Sequence, residues 1–258
     1  MSSLFDLRDH VALITGGSRG IGAAAARALA AHHAAVAINH LPTDAMAASA
    51  HEVAEEITNA GGTAIALGAD VTDAAQVDDL VTRCERELGP IDVLIANAAR
   101  LERVGWEDLD EHSWDDVFAV NTTGAYLCVR AVLGSMRARN RGSVITVSSI
   151  TTEIGQAASV PYITSKAGII GFTRALARIA GPDGVRVNCV MPGAIRTEHE
   201  LERRAPSDEL DELLVRNQCL RRRGEAADVA GAFVFLAAPA SSFITGQVIT
   251  VDGGWVHY

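Results

Sequence analysis

Positive charge is in short supply in this 258-residue chain: 22 lysines and arginines face 32 aspartates and glutamates, a formal net charge of −10. That deficit argues against capture of nucleic acid or of an anionic membrane surface, because both depend on basic groups neutralising phosphates. Cysteine is scarce as well. Cys84, Cys128, Cys189 and Cys219 lie tens of residues apart with no C-x-x-C pair, so all four read as buried thiols in a reducing compartment. The eight histidines include no H-x-x-x-H or H-E-x-x-H spacing, which leaves a catalytic zinc site unsupported and no metal expected. No apolar run approaches the roughly 18 residues of a membrane span. The opening MSSLFDLRDH is too charged, and its apolar part too short, for a signal peptide. The expected location is the cytoplasm.

What the chain does contain is alternation. Short apolar runs stand at 11–15, 35–39, 63–67, 91–96, 143–147, 185–190 and 248–251. Most are apolar at successive positions, the pattern of strands covered on both faces of a parallel sheet. Between them lie helical periods: Ile21, Ala24, Ala25, Ala28 and Leu29 follow one face, as do Val77, Leu80, Val81, Cys84 and Leu88, and later Val229, Ala232, Phe233 and Leu236. Repeated βα units predict an α/β doubly wound parallel sheet with helices on both faces, and residues 1–258 as one domain. The stretch 196–223 stands apart, charge-rich with only Leu210, Leu213 and Leu214 as a seam. Long irregular inserts of this kind are binding loops or lids, and a substrate lid is expected here.

Directly after the first run comes T15-G-G-S-R-G-I-G22. Gly16, Gly20 and Gly22 allow a tight turn and bring backbone N–H groups at a helix N-terminus close to a pyrophosphate. The spacing is wider than G-x-G-x-x-G, so the loop by itself indicates only a nucleotide phosphate. A second motif, SVPYITSKAG, puts Tyr162 and Lys166 one helical turn apart behind Pro161. On its own this pair has a purely local reading, as i, i+4 neighbours with a solvated lysine.

Together the two motifs change the reading. The sequence resembles the short-chain dehydrogenase/reductase family over almost its whole length, matching a Thr-Gly-x-x-x-Gly-x-Gly turn at Thr15–Gly22 and Tyr-x-x-x-Lys at Tyr162 and Lys166. Asp70 in GADVTD, Asn97-Ala98-Ala99 after the fourth run, Asn121 in VNTTG, Ser149 in VSS and Pro192-Gly193 with downstream Thr197 fall in the same order. The resemblance implies a catalytic set of Asn121, Ser149, Tyr162 and Lys166. It implies a cofactor site of Gly16, Ser18, Arg19, Gly20, Ile21, Gly22, His40, Asp70, Val71, Asn97, Ala98, Tyr162, Lys166, Pro192, Gly193, Ile195 and Thr197. Tyr162 would give a proton to a carbonyl oxygen, and Lys166 would lower its pKa with help from an oxidised nicotinamide. Ser149 would donate to the same oxygen, and Asn121 would anchor a water leading from Lys166 to solvent. Ala99 departs from the family's usual glycine, and a shifted loop with weaker cofactor affinity is expected.

NADP(H) is the expected cofactor, with NAD(H) possible. An NAD site usually places an acid after the second strand, but AVAINHLP offers His40, and Arg19 in the glycine turn suits a 2′-phosphate. The expected substrate is a small ketone or secondary alcohol, with a homotetramer implied by the resemblance. An alternative is a 3-oxoacyl-[acyl-carrier-protein] reductase. Family members of that type carry docking arginines before the fifth and sixth strands, where this chain has Asn140 and Asp183. A non-catalytic nucleotide sensor is a third reading. His32 and His33 read as the end of the first helix, Arg221-Arg222-Arg223 as a solvated face, and Trp106 and Trp114 as either rim or core.

Overall fold

Strands that are apolar at every position need cover on both faces, and the computed structural model, which describes residues 4–155, 159–203 and 208–257, supplies it. Seven strands form one parallel sheet: β1 (Val11–Ile14), β2 (Ala35–His40), β3 (Thr63–Gly68), β4 (Ile91–Ala96), β5 (Gly142–Val147), β6 (Val185–Pro192) and, last in the chain, β9 (Val248–Val251). Their order across the sheet is β3-β2-β1-β4-β5-β6-β9. The order reverses between β1 and β4, and ligands of open α/β sheets bind in the crevice beyond the strand C-termini at such a point.

Strand residues alternate between two cores. Ile14, Ile38, Ile95 and Val147 face helices α1 (Gly20–Ala31), α2 (Asp44–Asn59) and α10 (Ala226–Ala237). Leu13, Ala37, Leu94 and Val144 face α3 (Ala74–Leu88), α5 (Ala125–Ala138) and α7 (Val160–Ala180). Helix starts follow their capping chemistry: Thr43 accepts from Met46 N, Asp73 from Ala75 and Gln76 N, and Asp110 from Ser113 N. α1 does stop at the His32-His33 pair, where His33 takes a left-handed φ of 76°. That turn, and no basic group in the last helical turn, ends the helix.

Helix α4 (Glu111–Phe118) runs through a π turn (Ala119–Gly124) into α5 without a break. This 28-residue helix reaches a mean hydropathy of 1.3 over 18 residues and so is long and apolar enough to cross a membrane by composition alone. The expectation that no segment approaches a span therefore holds only for uninterrupted runs. Here the apolar residues form a face, with Leu127, Cys128, Val132 and Met136 buried in the sheet-side core.

Three further expectations are corrected. Cys219 is exposed, with its Sγ 3.8 Å from His257 Nε2, while the other three thiols are buried. The insert at 196–223 is more ordered than an irregular loop. It carries the short strand β7 (Ile195–Arg196), helices α8 (Glu198–Arg203) and α9 (Asp208–Val215), and β8 (Gly224–Glu225), which pairs with β7. Residues 204–207 of this expected lid, and 156–157 of the expected pocket wall, lie outside the described residues. Of Arg221–Arg223, the first two are exposed as a solvated face would be, and the third is not. The Arg223 side chain is only 7 % exposed and bridges Glu200 and Asp211, because burial of a guanidinium requires paired carboxylates.

Candidate active site

The loops that follow β1 and β4 are stapled to each other. Thr15 Oγ1 accepts from the N–H groups of Asn97 (3.0 Å) and Ala98 (3.1 Å), and Asn97 Nδ2 donates to the carbonyls of Thr15 and Gly16, each at 3.0 Å. Gly16 has φ +61°, and a side chain on Gly22 would bring its Cβ within 2.3 Å of Gly16 O. Neither position accepts another residue without moving the turn. Ser18 is buried against Met46, Arg19 occupies the N-cap position of α1 in extended conformation, and Ile21 packs on the core.

An anion already sits at this turn. Glu198 Oε2 accepts the Gly20 N–H at 3.0 Å. A carboxylate on the first amide of a twelve-residue helix, beside a cradle that a Cβ would fill, shows that the loop suits a phosphate group.

Toward the β2–β3 side, Asp70 Oδ1 accepts from Thr72 N (2.9 Å) and Thr72 Oγ1 (2.8 Å). This turn fixes the carboxylate and leaves its other oxygen without a described partner. Val71 is buried against Gly124, where an added Cβ would lie 2.9 Å from Val71 Cγ2. His40 is buried at the end of β2, and its Nδ1 lies 2.9 Å from Leu41 O. With a carbonyl as partner, Nδ1 carries a hydrogen.

At the C-terminal end of β5, Ser149 meets α7. The Tyr162 phenol lies beside Ser149, whose side chain favours its charged form. Lys166, the chain's one lysine, is buried with Nζ donating to Val147 O at 2.7 Å and lying 5.9 Å from the Tyr162 ring centre. Burial pushes the Tyr162 phenol up, and the Ser149 side chain opposes this. Burial also draws the Lys166 ammonium down to about 8. Lys166 was expected to lower the tyrosine's pKa. In this structure its Nζ is turned to Val147 O, and the phenol is held neutral.

Asn121, in the π turn, donates from Nδ2 to Ser165 Oγ (2.9 Å) and Arg100 O (3.1 Å) and accepts the Arg100 N–H at 2.7 Å. Both amide protons and one lone pair of the carbonyl oxygen are engaged with protein. Ala99 keeps a negative φ and is exposed, so this backbone does not require glycine there.

Pro192 ends β6, its carbonyl accepting Ile150 N at 3.0 Å, and Gly193 N donates to Val251 O at 2.9 Å. A Cβ on Gly193 would lie 2.6 Å from Asp252 Cα. Ile195 pairs through β7, and the Thr197 methyl lies against Gly20. The predicted residues lie at the ends of β1–β6 or on the segments that follow them, on the start of α7 and in the π turn, at the C-terminal side of the sheet.

Two residues there escaped the sequence reading. Thr151 donates to Ser149 Oγ from its N–H (3.2 Å) and its Oγ1 (2.9 Å). Those two donors fill both acceptor positions of the Ser149 hydroxyl, so its one proton must point away from Thr151. A Ser-x-Thr spacing is the only sequence signal for this turn. Glu198 left no local signal, since its partner lies 178 residues away.

A family model described as enoyl-(acyl carrier protein) reductase matches residues 16–256. The chain belongs to the short-chain dehydrogenase/reductase family. It is 38 % identical over 249 residues to the L-rhamnose 1-dehydrogenase (NAD(P)(+)) of Azotobacter vinelandii, covering 96 % of this chain and 97 % of the relative. It is also 38 % identical over 253 residues to the 3-oxoacyl-[acyl-carrier-protein] reductase of Synechocystis sp., covering 98 % and 99 %. Among solved structures, a 3-oxoacyl (acyl-carrier-protein) reductase from Agrobacterium tumefaciens C58 with NADP bound superposes with a TM-score of 0.90 at 32 % identity, covering 97 % of this chain and 96 % of that one. The protein is an oxidoreductase of this family, acting on alcohol or ketone groups.

Proposed function

We propose that the protein is an NADP(H)-dependent enzyme interconverting a secondary alcohol and a ketone on a small, freely diffusing substrate, sugars and polyols included. The observation that carries this reading is Tyr162 set beside Ser149 and one helical turn from buried Lys166, at the strand ends next to the glycine turn. A nicotinamide bound there supplies or takes the hydride. Tyr162, neutral in this environment, gives its proton to the carbonyl oxygen as negative charge develops on it. Ser149, its proton directed outward by Thr151, donates to the same oxygen. Lys166 holds positive charge beneath the phenol and replenishes its proton. Because the Asn121 side chain is engaged, its backbone within the π turn is the group we assign to the water path. We read α8 and α9 as the cover of this site.

Cofactor choice rests on charge. No carboxylate follows β2 until Asp44, while Arg19 stands at the helix N-cap. His40 ends β2, where a ribose 2′-hydroxyl would be met without a carboxylate's repulsion or selection, so NAD(H) is a usable second cofactor. Comparing kcat/KM for NADPH and NADH tests this, and a ratio favouring NADH contradicts the preference.

A carrier-bound substrate is the competing reading, favoured by likeness to the two acyl-carrier-protein reductases. Three arginines near the family's docking positions could have replaced the missing ones. Arg137 instead pairs with Asp183 at 2.5 Å, and Arg139 and Arg141 both pair with Asp92, at 2.6 and 3.0 Å. Asn140 and Asp183 also precede β5 and β6, on the sheet edge opposite this chain's own site. An acidic carrier docked there meets neutralised arginines and a net charge of −10.

A panel of ketones, sugars, polyols and thioesters offered with NADPH or NADH tests the reading. Turnover of a small carbonyl or alcohol supports it. A large gain in kcat/KM for a 3-oxoacyl group on its carrier protein, falling steeply with salt, contradicts it.

We assign the protein to the cytoplasm, a setting that suits four unpaired cysteines, and to a homotetramer. Tyr126 on α5, Ile179 on α7 and Phe243 before β9 stand exposed on the helices and edge expected to pair. A monomeric mass by light scattering at micromolar concentration contradicts the assembly.

A further inference from the structure

We propose that Glu198 is a built-in competitor of the cofactor's pyrophosphate, setting its affinity and hastening its release. This inference rests on the glycine turn being the dinucleotide site. The carboxylate occupies the Gly20 N–H, the group a pyrophosphate would take, from a residue 178 positions away on α8. Two anions cannot share one amide, so binding must displace the side chain.

The surroundings allow this displacement without unfolding the cover. Arg223 grips Glu200 at 2.7 Å and Asp211 at 2.5 Å, and Arg196 also pairs with Asp211, so the frame that carries Glu198 is fixed independently of the Gly20 contact. A cavity of about 930 Å³ opens beside the carboxylate, lined by Gly20, Arg196, Thr197, Glu198 and Leu201 among others, and gives the displaced side chain room. The exchange is therefore one side-chain rotation. As cofactor leaves, the carboxylate returns to the amide, which shortens the lifetime of the bound state. Release steps limit turnover in many enzymes.

Competition and simple charge repulsion make different demands. A competitor stabilises the free protein through the Gly20 contact and weakens only ligands that use that amide. Repulsion does neither.

The test titrates full-length protein with NADPH, followed by nicotinamide fluorescence, and with 2′-AMP, which carries no pyrophosphate. Glu198→Ala and Glu198→Asp are compared with the parent; the alanine removes acceptor and charge together, and the aspartate keeps the charge but cannot reach the amide. We expect NADPH Kd to fall roughly three- to thirtyfold in both variants, the range of a lost charged helix cap. The 2′-AMP Kd should not change, the stopped-flow release rate should fall, and the cofactor-free variants should melt a few degrees lower. An unchanged NADPH Kd in both variants overturns the proposal, as does an equal gain for 2′-AMP or a gain confined to alanine. If the parent protein fails to bind NADPH at all, the cofactor reading of the glycine turn falls, and this inference with it.

Discussion

Thr151 Oγ1 donates to Ser149 Oγ at 2.9 Å, and the Thr151 backbone N–H donates to the same oxygen at 3.2 Å. The serine hydroxyl is left with one free direction for its own proton, toward Tyr162 and the site where a carbonyl oxygen would sit. Thr151 is a positioning residue in this account. Thr151→Val removes the hydroxyl while keeping the branched shape, so Ser149 can turn and accept from Tyr162. The expected result is a roughly two- to tenfold loss of kcat, the range of one neutral hydrogen bond. NADPH Kd should be unchanged and activity regained in Thr151→Ser. Equal losses in the valine and serine variants would mean that the hydroxyl is not what matters.

Lys166 gives a pH prediction with a definite sign. Burial lowers its folded pKa from 10.5 to about 8. Between those values the unfolded chain keeps a proton that the folded chain has lost, so this group makes stability rise with pH across that window. Activity runs the other way. Ketone reduction uses the charged ammonium and the neutral phenol, so kcat/KM should fall as pH rises through about 8. Because the chain has one lysine, ¹³C-lysine labelling gives a single side-chain signal to titrate. A midpoint near 8 is expected, and one above 10 contradicts the desolvated environment.

Arg223 holds the cover to the sheet-side frame. Its loss leaves Glu200 without this partner and Asp211 with Arg196 alone. Breaking a fully buried pair costs about 3–5 kcal/mol, and the partial exposure of both carboxylates reduces this to roughly 2–3 kcal/mol. Arg223→Met should therefore lower Tm by roughly 5–12 °C. A drop below about 2 °C by calorimetry would show that the cluster contributes no stability.

Much of the architecture was legible because buried parallel strands leave continuous apolar runs. The runs at 91–96 and 248–251 coincide with β4 and β9, and the others differ by one or two residues. The Tyr162–Lys166 pair was legible because helix geometry fixes i, i+4 neighbours. What escaped depends on partners distant in sequence. The burial of Arg223 follows from Glu200 and Asp211, 23 and 12 residues away. The engagement of Asn121 follows from Arg100 and Ser165. The upward shift of the Tyr162 phenol follows from its burial, and Lys166 turns to Val147 O, a contact no helical period encodes.

The central claim is that Tyr162 gives the proton. Tyr162→Phe removes one oxygen and leaves the glycine turn, Asn97 and Lys166 in place. With NADPH and a ketone turned over by the parent enzyme, kcat should fall by ~10²–10⁴-fold, the contribution of a general acid. NADPH should bind with an unchanged Kd. A phenylalanine variant that keeps more than about a tenth of the parent kcat contradicts the account.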